Sequence, residues 1–149
     1  VTPQMIEESA RPITLDKAVN CVNLMAKIHD RDDHDNPNEV KVVTDLKKNA
    51  LYFSREPIPS WKKGAQSVPM YKQVCVITFS RKFLETFSHL EPTPLEIIES
   101  VDMNRVLEHG YGIKMVETEA ESYAVDTPQD LLDVEEAMKH DPLLKSYLK

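Results

Sequence analysis

Apolar and polar positions alternate along this chain in two rhythms. Thr2-Pro3 places a capping residue before a proline, and Met5, Ile6 and Ala10 with Glu7 and Glu8 between them predict an amphipathic helix to about Arg11. Residues 19–28 are rich in β-formers and partly alternating, which predicts a strand. A polar loop, His29 to Asp35, runs into the turn signal Asn36-Pro37-Asn38. Residues 40–45 then alternate with period two, Lys47-Lys48-Asn49 turns, and 50–54 returns, so a hairpin is expected at about 40–54. Three prolines and Gly64 make 56–70 a long irregular loop, of the sort that is often functional.

The second half reads as a strand at 72–79 and a helix at 81–90. A further helix opens at Thr93-Pro94-Leu95-Glu96 and runs to about His109, where Gly110 and Gly112 stop it. A strand at 113–117 and a helix at 127–139 close the chain. Strands alternating with helices predict an α/β sandwich with a mixed sheet. The 149 residues suffice for one domain around a single core.

Composition narrows the function. With 41% apolar and 29% charged residues the chain is an ordinary globular sequence, without a run of about 20 apolar residues to span a membrane or a signal-peptide layout. Its net charge of -7 speaks against a nucleic-acid partner, which selects for a basic face. Cys21 and Cys75 both sit in apolar runs and read as buried free thiols in a reducing compartment, the cytosol. Gly64, Gly110 and Gly112 are the only glycines, so no glycine-rich loop is present to approach a phosphate closely. If the protein handles a nucleotide, the phosphate grip is expected in an N-terminal segment outside these residues.

Three constellations could carry chemistry. The stretch from His29 to Asp35 holds two histidines and four aspartates, but counted from Asp30 the glycine and glutamate positions of an EF-hand hold Asp35 and Lys41. A solvated loop is the expectation there. In Val125-Asp126-Thr127-Pro128-Gln129-Asp130, Thr127 and Asp130 form a capping box, and Asp126 is not needed for it. Asp126 is either a surface acid beside a helix dipole or a hard oxygen ligand for a phosphate-bound Mg2+. Arg55, at the end of the hairpin, either pairs with Glu56 or grips a carboxylate or phosphate.

The order of several motifs resembles one family. Asn36-Pro37-Asn38-Glu39-Val40-Lys41-Val42-Val43, Ala50-Leu51-Tyr52-Phe53-Ser54-Arg55 with Pro57-Ile58-Pro59, Pro92-Thr93-Pro94-Leu95-Glu96 with Ile98-Glu99 and Arg105-Val106-Leu107, and Val125-Asp126-Thr127-Pro128 with Asp130-Leu131 resemble the 3-deoxy-manno-octulosonate (KDO) cytidylyltransferases, in order and with similar spacings. The resemblance implies an α/β, Rossmann-like nucleotidyltransferase sandwich with an inserted hairpin, and a homodimer. It implies that residues 1–149 are the C-terminal portion of one domain, with a dimer and sugar-binding part at about 40–110 and a closing strand and helix at 113–140. The CTP loop and a first metal-binding aspartate would lie in an absent N-terminal half.

By the same resemblance Asp126 is the catalytic Mg2+ ligand, Arg55 contacts the acidic sugar, and Gln73 and Asp102 stand at sugar-binding positions. The implied activity is Mg2+-dependent transfer from CTP to an acidic 2-keto-3-deoxy sugar such as KDO, in the cytoplasm, for cell-surface lipopolysaccharide. The chain departs from the family where a histidine, a glycine and two tyrosines are usual: residues 73–79 read Gln73-Val74-Cys75-Val76-Ile77-Thr78-Phe79, and Asp102-Met103 replaces Glu-Gln. Gln73 and Asp102 can still bond hydroxyls, whereas Ile77 and Met103 cannot, and lost partners of this kind change which sugar is accepted. The alternatives are the same chemistry on another acidic sugar, and a non-catalytic fragment or paralogue that dimerises and binds.

Overall fold

A computed structural model describes residues 1–60, 62, 69–120, 123, 125, 127–141, 143 and 144. Helix α1 (Pro3–Leu15) starts where Thr2 Oγ1 accepts from the Met5 N–H at 3.3 Å. It outruns the expected end at Arg11: Pro12 lies inside it, and the Asp16 N–H donates to the Pro12 carbonyl at 2.9 Å to close the last turn. Strand β1 (Cys21–Lys27) follows, its first five residues buried on both faces.

The expected polar loop after β1 is instead a short helix, α2 (Arg31–Asp35). Asp30 caps it by accepting from the Asp33 N–H at 2.8 Å, and His34 is buried with Nε2 3.0 Å from the Ile58 carbonyl oxygen. That contact with the segment after the hairpin cannot be read from local polarity.

The hairpin forms as expected from β2 (Lys41–Thr44) and β3 (Ala50–Ser54). Asp45 Oδ1 accepts from the N–H groups of Lys47 and Asn49, each at 2.8 Å, and the turn places Lys48 at φ 61°. Strand β4 (Tyr71–Phe79) leads into α3 (Arg81–Phe87).

Two helices stand where one was expected, α4 (Pro94–Glu99) and α5 (Met103–Glu108). Ser100 between them is left-handed, at φ 53° and ψ 47°. Sequence signals miss this break because glycine or asparagine usually takes that conformation. Strand β5 (Lys114–Glu117) and α6 (Pro128–Lys139) follow, α6 opening on the expected Thr127–Asp130 capping box.

The sheet runs β3-β2-β4-β1-β5, with β1 and β5 parallel and the other pairs antiparallel. On one face Met25, Phe53, Met103, Val106, Ile113 and Met115 form the main core, and on the other Met5 of α1 covers Leu24 and Val74. The sheet curls, so that the hairpin turn reaches β5: the Ala50 N–H donates to the Ile113 carbonyl at 2.9 Å, and the Met115 N–H to the Lys48 carbonyl at 2.8 Å.

Two buried cysteines were expected, and Cys21 alone is buried. Burial, with the Asp102 charge second, pushes its thiol up to about 12. Cys75 is exposed because β4 bulges. Val74 stands opposite Leu24 and Ile77 opposite Asn23, so Cys75 and Val76 have no partner on β1.

Candidate active-site cleft

A cleft of about 980 Å³ opens where β1 and β5 end. Open α/β sheets bind ligands at the carboxyl ends of parallel strands, where loops leave room above the sheet. Ala26, Lys27 and His29 come from the end of β1, and Glu117 through Ala120 from the end of β5. The start of β4 adds Lys72 and Val74, the loop before β2 adds Asn36, Asn38 and Glu39, and the first turns of α6 add Thr127, Asp130 and Asp133.

Opposite charges are paired along this rim. Lys27 Nζ lies 2.8 Å from Glu117 Oε1, and Lys72 Nζ lies 2.9 Å from Glu39 Oε1. The hydrogen bond from Lys27 holds the Glu117 carboxyl below its usual range, and Glu117 in turn raises Lys27. The Tyr71 hydroxyl donates to Glu117 Oε2 at 3.3 Å and accepts from Lys48 at 3.2 Å, so the hairpin turn is fastened to the cleft wall.

Of the sequence-derived candidates, Arg55, Gln73 and Asp102 do not line this cleft. Arg55 does not pair with Glu56. Its Nε donates to the Glu99 carbonyl at 2.7 Å, Nη1 to the Pro37 carbonyl at 3.0 Å and Nη2 to the Ser100 carbonyl at 3.3 Å. A guanidinium has five N–H groups, so two remain, one on each terminal nitrogen, and a carboxylate gripped end-on needs that pair.

Glu99 fixes the same segment from below, accepting from the Tyr52 hydroxyl at 2.8 Å, the Ser54 hydroxyl at 2.9 Å and the Arg55 N–H at 2.8 Å. Burial alone would raise the Glu99 carboxyl, but these bonds pull it below its usual value. Tyr52 is pushed up to about 12 by burial and by the Glu99 carboxylate.

Gln73 lies between Lys72 and Val74, which face the cleft, and its side chain bonds on the other face of the sheet, where Nε2 donates to Asn23 Oδ1 at 2.7 Å. Asn23 is fully buried, and its amide donates to the carbonyls of Leu24 at 2.9 Å and Val74 at 2.7 Å. Its oxygen must therefore be the acceptor, and Gln73 is left with a free carbonyl oxygen. Asp102 is exposed at the start of α5, two residues beyond the carbonyl that Arg55 holds. Among the described residues no hydrogen bond or ion pair joins Arg55, Gln73 and Asp102. Met103, a departure from the expected pattern, is a core residue at 1% exposure and presents nothing to a ligand.

Asp126 lies outside the described residues. Thr127, which follows it, lines the cleft, and Asp130 is engaged in the cap: its Oδ2 accepts from the Thr127 N–H at 2.7 Å, and Thr127 Oγ1 accepts from the Asp130 N–H at 3.2 Å. Glu119 and Asp133 give this end of the cleft the hard oxygen donors that suit a divalent cation, although no three acids, histidines or cysteines converge among the described residues.

The model of the family described as cytidylyltransferase matches residues 1–120. The chain belongs to the cytidylyltransferase family. This cytidylyltransferase chain is 40% identical over 149 residues to the 3-deoxy-manno-octulosonate cytidylyltransferase of Geotalea uraniireducens (strain Rf4), covering 93% of this chain and 59% of that protein. It is 38% identical over 132 residues to the enzyme of the same name from Acaryochloris marina (strain MBIC 11017), covering 89% and 54%. A solved structure of CMP:2-keto-3-deoxy-manno-octonic acid synthetase complexed with CTP superposes with a TM-score of 0.86 at 30% identity, over 94% of this chain and 57% of that one.

The cytidylyltransferase chain thus spans under six-tenths of the length of these relatives. The α/β fold with a mixed sheet and hairpin agrees with the expectation from sequence. Glu99, Asn23, Lys27 and Glu117 were not singled out from sequence. Their roles come from partners far along the chain, and only Glu99, beside Ile98 in a recognised motif, gave any signal.

Proposed function

We propose that the protein transfers a cytidylyl group from CTP to an acidic 2-keto-3-deoxy sugar such as KDO, releasing pyrophosphate. The observation that carries this reading is the cleft at the carboxyl ends of β1 and β5, in a fold that superposes at a TM-score of 0.86 on a synthetase complexed with CTP. In the reaction the anomeric hydroxyl oxygen of the sugar attacks the α-phosphorus. The bond to the β-phosphate oxygen breaks, pyrophosphate leaves with that electron pair, and the hydroxyl proton is lost to a base.

This chain's part is positioning and charge, which supply most of the catalysis in phosphoryl-type transfers. Arg55, its backbone pinned by Glu99, offers two N–H donors to the sugar carboxylate. Gln73 offers a carbonyl acceptor to a hydroxyl, fixed by Asn23, and Asp102 is exposed and can accept another. Asp126, next to the cleft-lining Thr127, would hold Mg2+, whose charge offsets that of the phosphates when bound. Lys27 and Lys72 are neutralised by Glu117 and Glu39, so Glu119 and Asp133 leave the cleft net negative, a field that a divalent cation would offset when phosphates bind.

The homodimer belongs to the same reading. Ile97 and Ile98 on α4 are 68% and 77% exposed, and Leu51 on β3 is 62% exposed, apolar surface of the kind a second copy would cover. No described helix is long and apolar enough to cross a membrane. Cytoplasmic action in lipopolysaccharide synthesis belongs to the same reading.

The test is pyrophosphate release by the full-length protein from CTP and Mg2+, with and without KDO and with other 2-keto-3-deoxy acids. KDO-dependent release supports the proposal. Release with another acid alone moves the substrate within the class, and no release with any acid overturns the reading.

A further inference from the structure

The most unusual buried charge among the described residues is the Lys41 ammonium. The side chain is fully buried, and among the described residues no carboxylate lies within ion-pair distance. Nζ donates to the Asn36 carbonyl at 2.8 Å and to the Arg55 carbonyl at 2.5 Å. An uncompensated buried ammonium is costly, and burial lowers its pKa here, with Glu39, Glu56 and Asp35 too distant to bond but near enough to offset part of that loss. A methionine or leucine would fill the same volume without that cost.

The two carbonyls belong to different functional segments. Asn36 begins the loop whose Asn36, Asn38 and Glu39 line the cleft, and that loop is also tied to β4 through Glu39 and Lys72. Arg55 is the guanidinium that bonds Pro37 of the same loop and the Glu99 and Ser100 carbonyls. Lys41 therefore stands between the cleft rim and the arginine, holding the backbone of each.

We propose that Lys41 is a positioning residue for the acidic-sugar site: its charge locks the 36–39 loop to the Arg55 backbone, so that the guanidinium is presented to the substrate carboxylate in one orientation. The proposal rests on the reading of Arg55 as the sugar-carboxylate ligand. Two hydrogen bonds from a cation to carbonyls are stronger than neutral ones and directional, as such a lock requires. A neutral side chain of equal length leaves both carbonyls unpaired and the two segments free to separate.

The experiment compares Lys41→Met with the wild type and with Lys82→Met, an exposed lysine on α3 far from both carbonyls. Lys41→Met in the full-length protein is expected to raise KM for the acidic sugar about tenfold, leaving KM for CTP within about twofold. In the same variant, amide hydrogen exchange of the peptides spanning 36–39 and 55–56 is expected to quicken by about tenfold, while that of α1 stays put. Lys82→Met should change neither.

Faster exchange with an unchanged sugar KM would make Lys41 a structural staple only and overturn the proposal. Equal losses for sugar and CTP, or unchanged exchange, would overturn it too. If the wild type turns over no acidic sugar, the functional reading has failed, and the exchange data alone then judge the lock: local quickening supports it and its absence overturns it.

Discussion

Asn104, on α5, bonds the backbone of Phe53 twice, its Oδ1 accepting from the Phe53 N–H at 3.3 Å and its Nδ2 donating to the Phe53 carbonyl at 3.1 Å. A carboxamide has the donor and acceptor of a peptide group, so Asn104 stands where another strand would pair with the edge strand β3. Asn104→Asp replaces the donor with an acceptor aimed at a carbonyl, in a site 1% exposed, and should cost about 1–3 kcal/mol. Urea unfolding with an unchanged m-value would show the loss, and a stability within about 0.5 kcal/mol of the wild type would contradict it.

Glu99→Gln tests the fastening beneath Arg55. The amide accepts at one oxygen only, so it cannot serve the Tyr52, Ser54 and Arg55 donors together. Tyr52 is held at about 12 by burial first and the Glu99 carboxylate second, so its pKa should fall towards 10 without reaching it. Absorbance titration at alkaline pH, differenced against Tyr52→Phe, measures the shift. No change on Glu99→Gln would assign the whole effect to burial.

Acid stability should depend on Glu96. Its carboxylate pairs with Arg105, and that hydrogen bond holds its folded pKa below the ordinary 4.5. A carboxyl depressed in the folded state contributes stability that is fully present above 4.5 and lost as pH falls through the lower folded value. Unfolding free energy should therefore drop more steeply below pH 4.5 in the wild type than in Glu96→Gln. Parallel curves for the two proteins would contradict the assignment.

Asp126 and Asp130 should separate function from stability. Asp126→Asn in the full-length protein is expected to keep the fold and remove most turnover, since an amide lacks the charge that holds a divalent cation against phosphate. Asp130→Asn should cost about 0.5–1 kcal/mol through a weaker cap and keep most turnover. A Mg2+ titration at saturating CTP, with a melting curve for each variant, decides. Normal turnover of Asp126→Asn at low Mg2+ would reduce that acid to a surface charge.

Self-association should pass through the α4 and β3 patch. The full-length protein is expected to sediment as a dimer at tens of micromolar, and Ile98→Asp to shift it to monomer, because a buried unpaired carboxylate opposes the interface. A wild-type monomer at that concentration, or a dimer indifferent to Ile98→Asp, would count against this surface.

What the sequence revealed divides by the range of the interaction. Thr2-Pro3, Thr93-Pro94 and Thr127-Pro128 announced three helix starts, and the period-two run around Val42 announced the hairpin, because caps and alternation act between near neighbours. Ser100 hid the break between α4 and α5, since its left-handed turn is supported by Arg55, 45 residues earlier. Cys75 was expected inside, but a bulge set by the pairing with β1 turned it out. The site shows the same division. Arg55 could be picked out as a planar cation at a strand end, but its anchors Glu99 and Ser100 are far along the chain, and Asp126 lies outside the described residues.

The contact between the hairpin turn and β5 bears on the order of assembly. Lys114 Nζ reaches the Lys47 carbonyl across 67 residues of chain, beside the Met115 N–H bond to Lys48. On a ribosome adding about 5–20 residues per second, the hairpin emerges several seconds before the strand that its turn will meet. Throughout that interval the Ala50 N–H and the Lys48 carbonyl lack the partners that Ile113 and Met115 give them. A chaperone that keeps the hairpin turn from pairing elsewhere before β5 emerges would have to act within that window.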